Sequence, residues 1–376
     1  MSGTGRQRPF AVIAGGGTGG HVTPALAIGG ALVAAGHQRD SILFVGSRRG
    51  MERDMVPAAG FPVELLPGRG LVRRASRDNL GAAAGLAVAT ARAVILLRRR
   101  RPAVLVSVGG YAAAPAAVAA VLWRVPIVLA EANAVPGAVH KLLARFARAS
   151  AVSFPDTPLP RAVVTGNPIR EQMQHVDRSP RGRQAAREAL GYPASAFLVA
   201  AGGGSLGAGR INEVVLGVVD AWRERSDVAI HHIVGARNAA DLAGRRPELP
   251  AGIVYRQVPF EERMDLVYAA ADVAVHRSGA STVAELAAAG LPSVLIPLPR
   301  SPGDHQTRNA RSMAAAGGAV VVADDDLDAD RLAAELDDLR AHPERLSAMG
   351  DGARTLAVPD AAHRVAALVE VQARRG

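Results

Sequence analysis

Two stretches constrain this chain more than anything else in it: GGGTGGH at residues 15–21 and GGGSLGAGR at 202–210. Each follows an apolar run of strand length, Phe10–Ala14 or Phe197–Ala201, and each leads into an apolar helical pattern. A glycine run at a strand-to-helix turn lets the backbone approach a ligand closely, and the N–H groups of the helix start attract anionic or oxygen-rich groups. The device stands at equivalent places in the two halves, which amounts to a coarse internal duplication. Around it, strand-length runs alternate with helical patterns in the manner of parallel βαβ units. In the first half the pattern predicts strands at Phe10–Ala14, Ser41–Val45, Ala103–Val108 and Ile127–Ala130, short ones near 151–153 and 162–165, and helices over Pro24–Ala35 and Leu80–Leu97. In the second half strands are expected at Phe197–Ala201, Ala229–Val234, Ile253–Gln257, Val273–His276 and Ser293–Pro297, with a helix over Ile211–Trp222. The turn tripeptide Gly166-Asn167-Pro168 marks the boundary. The expectation is an α/β protein of two Rossmann-like domains, residues 1–166 and 167–359, whose parallel sheets face each other across a cleft. A terminal helix over about 360–376 is expected to pack on the first domain.

Length and composition agree with two buried cores: 376 residues, 49% apolar, carried by Ala, Val and Leu with few aromatics. The absence of cysteine rules out disulfides, thiolate metal sites and a cysteine nucleophile. The apolar stretch behind the N-terminal arginines is too short for a signal-peptide core. Ala103 to Trp123 carries no charge but is divided by Gly109, Gly110 and Pro115, so it reads as strand, turn and helix start. A cytoplasmic or peripheral protein is therefore expected. The net charge of +10 is unevenly spread: residues 1–166 carry 20 Lys+Arg against 7 Asp+Glu, and the remainder 24 against 27. A polyanionic partner for the first half explains this, and so does a general preference for arginine over lysine.

The glycine motifs also exclude chemistries. Residues 15–20 satisfy G-x-G-x-x-G, but the second strand ends Val45-Gly46-Ser47-Arg48 without the acid a dinucleotide ribose needs, and no GK[ST] follows for a P-loop. His21 lies where side chains enter the cleft of a doubly wound fold. A neutral imidazole there can accept a proton from an attacking hydroxyl, or can simply cap its own loop. Residues 275–285, VHRSGASTVAE, repeat the strand, glycine turn and helix start. Diphosphate suits such a helix end and Glu285 can accept two ribose hydroxyls, although Ser281 and Glu285 are also near capping-box spacing. The polar run 304–309, DHQTRN, follows the next strand, where amides can read sugar hydroxyls. No D-x-D or paired-histidine ligand cluster stands out, so no metal and no cofactor is expected.

Taken together, GGGTGGH, GGYAAAP (109–115), NAVPG (133–137), TGNPIR (165–170), GGGSLGAGRINE (202–213), RSGASTVAELAAAGLP (277–292) and DHQTRNA (304–310) resemble the MurG family of peptidoglycan N-acetylglucosaminyltransferases. Seven motifs in collinear order cover almost the whole chain. The resemblance implies a GT-B fold, UDP-N-acetylglucosamine as donor, and lipid I (undecaprenyl-diphospho-muramoylpentapeptide) as acceptor. It further implies lipid II as product, inversion at the anomeric carbon, and work at an anionic membrane surface on the cytoplasmic face. Carried over by motif, Thr18, Gly19, Gly20 and His21 face the acceptor diphosphate and donor sugar, with His21 as base. Asn133, Arg170, Ser205, Glu285, Gln306 and Asn309 bind the donor, with Ala280, Ser281, Thr282, Val283, Ala284 and Glu285 around its diphosphate and ribose. Glu261 falls where the family reads uracil through backbone, and Tyr111 and Glu131 line the acceptor side. His21, Glu131 and Asn309 are the expected catalytic group. Two departures stand out: relatives often carry His-Glu-Gln-Asn where this chain has Ala130-Glu131-Ala132-Asn133, and often Cys where it has His276.

Other readings are weaker. A UDP-N-acetylglucosamine 2-epimerase of the same fold wants further cleft carboxylates, and only Glu131 offers itself. Another UDP-sugar-dependent glycolipid glycosyltransferase would differ only in acceptor. A nucleic-acid partner leaves the glycine motifs idle and finds few aromatics for stacking, so none is expected. Membrane docking is expected through Arg69–Arg101, with Leu80, Leu86, Val94, Leu96 and Leu97 as apolar surface between Arg73, Arg74 and Arg77 at one end and Arg98, Arg99, Arg100 and Arg101 at the other. The alternative is that these apolar residues cover the sheet.

Overall fold

The structure, a computed structural model, describes residues 8–67, 78–204, 207–244 and 252–374. The chain divides into two compact units, one of residues 1–170 with 360–376, the other of residues 171–359.

The first unit is built on strands β1 (Ala11–Gly15), β2 (Ile42–Ser47), β3 (Val63–Leu66), β4 (Val104–Gly109), β5 (Ile127–Glu131), β6 (Ala149–Val152) and β7 (Ala162–Val164). All pair in parallel, in the order β3-β2-β1-β4-β5-β6-β7. The central strands are buried end to end, as apolar runs covered on both faces must be. Alternate residues go to opposite layers: Ala11 and Ile13 join one core, Val12 and Ala14 the other. Between β1 and β4 the winding reverses, and at such a point loops part to leave a crevice beyond the carboxyl ends of the strands.

Helix α1 (Gly19–Ala34) begins earlier than the sequence suggests. Thr18 is its extended N-cap, its carbonyl taking the amides of His21 and Val22, so Pro24 lies in the second turn instead of the first. A proline there lacks the N–H that would reach back one turn to the Gly20 carbonyl, and its ring crowds that carbonyl. Helix α2 (Glu52–Ala58) and edge strand β3 escape the sequence pattern because both are short and β3 is only half buried. Helix α3 (Asp78–Arg100) lays Ala89, Ala93 and Leu97, at spacings of four, into the core beneath α4 (Ala114–Leu122) and the sheet. This corrects the expected apolar surface: Leu97 is buried, and Val94 and Leu96 pack against the core. Val88 and Ile95 are exposed large apolar residues of α3, joined by Val118, Leu122 and Trp123 from α4 and its C-cap. The Trp123 indole donates to the Val94 carbonyl at 2.9 Å, and the Arg98 guanidinium lies 5.6 Å from the Trp123 ring centre. Arg69, Arg73, Arg74, Arg77 and the Leu80 side chain lie outside the described residues.

Helix Ala361–Arg374 sets Ala362, Val365, Ala366 and Val369 into the core of the first unit, and Glu370 meets His37 at 3.0 Å. Among the described residues no helix is long and apolar enough to cross a membrane.

The second unit repeats the plan with β8 (Phe197–Gly202), β9 (Val228–Ile233), β10 (Val254–Val258), β11 (Val273–His276), β12 (Ser293–Leu295) and β13 (Ala319–Val321), all parallel, in the order β10-β9-β8-β11-β12-β13. Its first strand is again central, with the winding reversal between β8 and β11. Asp272, just before β11, accepts from Arg183, from Arg187 at 2.7 Å and from the Leu198 amide at 2.7 Å, which ties the helix Pro180–Leu190 to the sheet. Asp272→Ala should lower the stability of this unit by about 2–4 kcal/mol, read as a drop in its urea midpoint, because two guanidinium groups and an amide lose one acceptor.

Candidate active site

In the first unit the loops after β1, β2 and β4 converge at the winding reversal. Beneath them lies Glu52, the first residue of α2 and only 2% exposed. Its carboxylate accepts the amides of Ser47 at 2.6 Å and Gly17 at 2.8 Å. A Cβ on Gly16 would stand 2.2 Å from the Glu52 carboxyl carbon, so at φ 144° only glycine fits there. The Ser47 hydroxyl in turn accepts the Tyr111 hydroxyl at 3.1 Å, which brings the loop after β4 into the same network. Sequence reasoning missed Glu52 because it looked for an acid on the second strand. The signal lay five residues past that strand's end, flanked by Gly46 and Gly50.

His21, third in α1 and half buried, has Nδ1 3.3 Å from the Thr18 hydroxyl. Its ring packs on the Gly109-Gly110 turn, where an added Cβ would lie 3.5 Å from Nε2 or 3.6 Å from Nδ1. Gly19 and Gly20 open α1, and Gly20 is exposed. The structure thus brings Thr18, Gly19, Gly20, His21 and Tyr111 together at one edge of the sheet.

Glu131 is enclosed by hydrogen-bond donors. At the end of β5 and 5% exposed, it accepts the Asn133 amide at 3.0 Å and the Asn133 side chain at 3.2 Å on Oε1. On Oε2 it accepts the Gly137 amide at 2.9 Å and faces His140 Nδ1, in helix α5 (Ala138–Leu143), at 2.8 Å. Burial pushes its pKa up, but the bonds from His140, Asn133 and Gly137 outweigh burial and hold it at about 2. A carboxylate with four donors and so low a pKa stays ionised. It folds the 132–137 loop and presents Asn133.

In the second unit the helix Ala280–Ala289 begins immediately after β11 and the Arg277-Ser278-Gly279 turn. Gly279 is its N-cap and no side chain caps it, so the capping box between Ser281 and Glu285 does not form. The Ser281 hydroxyl is buried with no hydrogen-bond partner among the described protein atoms. A desolvated hydroxyl beside uncapped helix amides is a place for an anion. Glu285 lies one turn on, 8% exposed, while Val283 is a core residue at 3% and Ala280 is buried at 8%, so these two offer backbone only. Thr282 and Ala284 are half buried on the same turns. The turn is fixed from below: Arg277 donates to the carbonyls of Ile296 and Pro297 and pairs with Asp324, and the Ser278 hydroxyl donates to the Gln306 carbonyl at 2.8 Å.

Gln306 keeps a half-exposed side chain whose Oε1 accepts the Leu298 amide at 2.9 Å. Asn309 is fully buried, and its Nδ2 donates to the Ser278 carbonyl at 3.1 Å. It braces the turn from the helix His305–Ala315. Glu261 turns its carboxylate inward, accepting the Arg263 amide at 2.9 Å and lying 3.3 Å from His231 Nε2. Arg170 is the last residue of the first unit and half buried. Ser205 lies outside the described residues.

The chain matches the Glycosyltransferase family 28 N-terminal domain over residues 11–152 and the Glycosyltransferase family 28 C-terminal domain over 198–365. It is 36% identical, over 97% of its length and 99% of the relative's, to the UDP-N-acetylglucosamine--N-acetylmuramyl-(pentapeptide) pyrophosphoryl-undecaprenol N-acetylglucosamine transferase of Desulforudis audaxviator. It is 41% identical to the protein of that name from a Nocardioides species, over 95% of this chain and 96% of the other. The chain belongs to the MurG family. The crystal structure of Acinetobacter baumannii MurG superposes with a TM-score of 0.74 at 28% identity, over 96% of this chain and 99% of that one. The kitacinnamycin glycosyltransferase, at 19% identity, 97% and 99% coverage and a TM-score of 0.69, shares the fold. The two Rossmann-like units are therefore those of a GT-B glycosyltransferase.

His276 is buried against the edge of Tyr268 with both ring nitrogens unbonded among the described atoms, and burial takes its pKa down to about 4. The sign follows from proton counts. Below the unfolded value of about 6.5 and above about 4, the unfolded chain binds a proton that the folded ring does not, so stability falls with decreasing pH. The slope is about 1.4 kcal/mol per pH unit for this one group. Thermal melts from pH 7 to pH 4 should show the His276→Cys variant losing stability less steeply than the native protein. His232, whose pKa burial lowers to about 3, keeps part of the slope.

Proposed function

We propose that the first unit receives the acceptor and the second the donor in a single inverting displacement, with His21 as the base. The reaction is transfer of N-acetylglucosamine from UDP-N-acetylglucosamine to the muramoyl C4 hydroxyl of lipid I, giving lipid II for peptidoglycan synthesis. The observation that carries the donor half is the uncapped start of helix Ala280–Ala289 with its buried, unbonded Ser281 hydroxyl. Its amides take the diphosphate and stabilise the charge that develops as UDP leaves, assisted by Arg170. Glu285 accepts the ribose hydroxyls, the backbone at Glu261 reads uracil, and Gln306 and Asn133 contact the sugar. On the acceptor side, the Thr18 hydroxyl lies 3.3 Å from His21 Nδ1 and steadies the ring, and with the proton on Nδ1 the Nε2 atom takes the C4 hydroxyl proton. Inversion needs one base and no nucleophilic carboxylate, which agrees with Glu131 being committed elsewhere.

The acceptor's polyprenyl chain stays in the bilayer, so the enzyme works at the cytoplasmic face of the membrane as a peripheral protein. Val88, Ile95, Val118, Leu122 and Trp123 form an exposed apolar surface on α3 and α4, and Arg92, Arg98, Arg99 and Arg124 are exposed around it. An apolar patch with a basic rim suits an anionic interface.

Two measurements test this reading. With UDP-N-acetylglucosamine and a lipid I analogue, His21→Ala should lower kcat by about 10²–10⁴-fold with little change in donor affinity, and Glu285→Ala should mainly raise the donor KM. Native turnover in His21→Ala would move the base elsewhere. In vesicle co-sedimentation, native protein should pellet with anionic and much less with neutral lipid, each basic residue contributing on the order of 1 kcal/mol. Ile95→Ser combined with Trp123→Ser should abolish pelleting, and unchanged pelleting would remove this patch from the membrane account.

A further inference from the structure

Glu52 carries an inference that goes beyond the family reading and rests on it for the reaction assayed. Its two oxygens hold amides from two different loops, Gly17 after β1 and Ser47 at the end of β2, and through the Ser47 hydroxyl the network reaches Tyr111 after β4. These loops carry the first unit's acceptor-side residues Thr18, His21 and Tyr111. The backbone is shaped around the carboxylate: an added Cβ would stand 2.2 Å from its carboxyl carbon at Gly16, 2.3 Å from its Cγ at Gly46 and 2.0 Å from Oε2 at Gly50. Three glycines yielding space to one acid, with both of its oxygens accepting backbone amides, is more than packing requires. We propose that Glu52 is a positioning residue for glycosyl transfer, holding the glycine loop and Tyr111 in the register that aims His21 at the acceptor.

The distinguishing property is the need for an acceptor at both oxygens. Glu52→Gln keeps the shape and fills the cradle, but its amide nitrogen must face one of the two backbone N–H groups. That leaves a buried amide unpaired and releases one loop. With lipid I analogue, the Gln variant should lose about 10- to 100-fold in kcat, as the loss of one buried acceptor implies. Its Kd for UDP, titrated calorimetrically, should stay within about twofold, because the donor site belongs to the other unit. A cycle tests the cradle separately: Gly50→Ala should impair turnover in the native background, and Glu52→Ala/Gly50→Ala should be no worse than Glu52→Ala, since the clashing carboxylate has gone.

Native-like kcat in Glu52→Gln overturns the inference. Equal loss of turnover and UDP affinity also overturns it, because the carboxylate would then support the protein as a whole. Strictly additive losses in the cycle remove the cradle. His21→Ala, assayed alongside, separates this proposal from the reading it rests on. If His21→Ala retains turnover while Glu52→Gln loses it, the base assignment fails and the positioning role stands on the Gly17 and Tyr111 loops. The reverse result fells the positioning role alone.

Discussion

Everything at the working edges of this protein depends on how backbone N–H groups are satisfied where a parallel strand turns into a helix. Each such turn leaves donors that the new helix cannot use. In the first unit, buried carboxylates take several of them: Glu52 accepts from Gly17 and Ser47, and Glu131 from Asn133 and Gly137. The second unit treats the equivalent turn after β11 differently. There Arg277, Ser278 and Asn309 fix the turn from behind by bonding its neighbours, while Gly279 caps the helix without a side-chain acceptor. One fold thus yields two kinds of edge, one whose loops are anchored internally by acids and one that presents helix amides outward. Acids inside the first unit also keep negative charge away from its surface, which agrees with that half being strongly basic.

The contrast explains what could be read from the sequence. Central strands were legible because burial on both faces writes them as unbroken apolar runs, and the glycine loops were legible because close backbone approach admits no other residue. The start of α1 was obscured by its own glycines, which suppress helical expectation, and by Pro24, whose usual place is the first turn. Strand β3 and helix α2 were too short to show a period. Glu52 and Asn309 illustrate the remaining difficulty. Both are polar residues near a helix start, and the sequence does not say whether such a side chain points outward to a ligand or inward to hold its neighbours. Asn309 is buried against the Ser278 carbonyl, and Glu52 turned inward where nothing marked it.

Helix α3 shows how the pattern can find a helix and still misjudge which of its residues face outward. Leucines within Leu80–Leu97 looked like the natural apolar surface, yet a helix over a sheet turns its most regular small-and-leucine stripe to the core. In α3 that stripe is Ala89, Ala93 and Leu97, so Val88 and Ile95, less conspicuous in sequence, are left outside beside Arg92 and Arg99. The aromatic component came from the neighbouring α4, because the Trp123 indole is anchored to the α3 backbone.

The return of helix Ala361–Arg374 to the first unit has a consequence for biosynthesis. Its Val365 and Val369 are fully buried in a core otherwise made from residues 10–151, with the whole second unit intervening in the chain. During translation the amino-terminal unit cannot close that core until the second unit has been made, whereas the second unit holds all its strands in one continuous segment. The usual order, amino-terminal domain first, is inverted for the final step, and the apolar groove awaiting the helix on α1 stays open to water for as long as the ribosome takes to reach it.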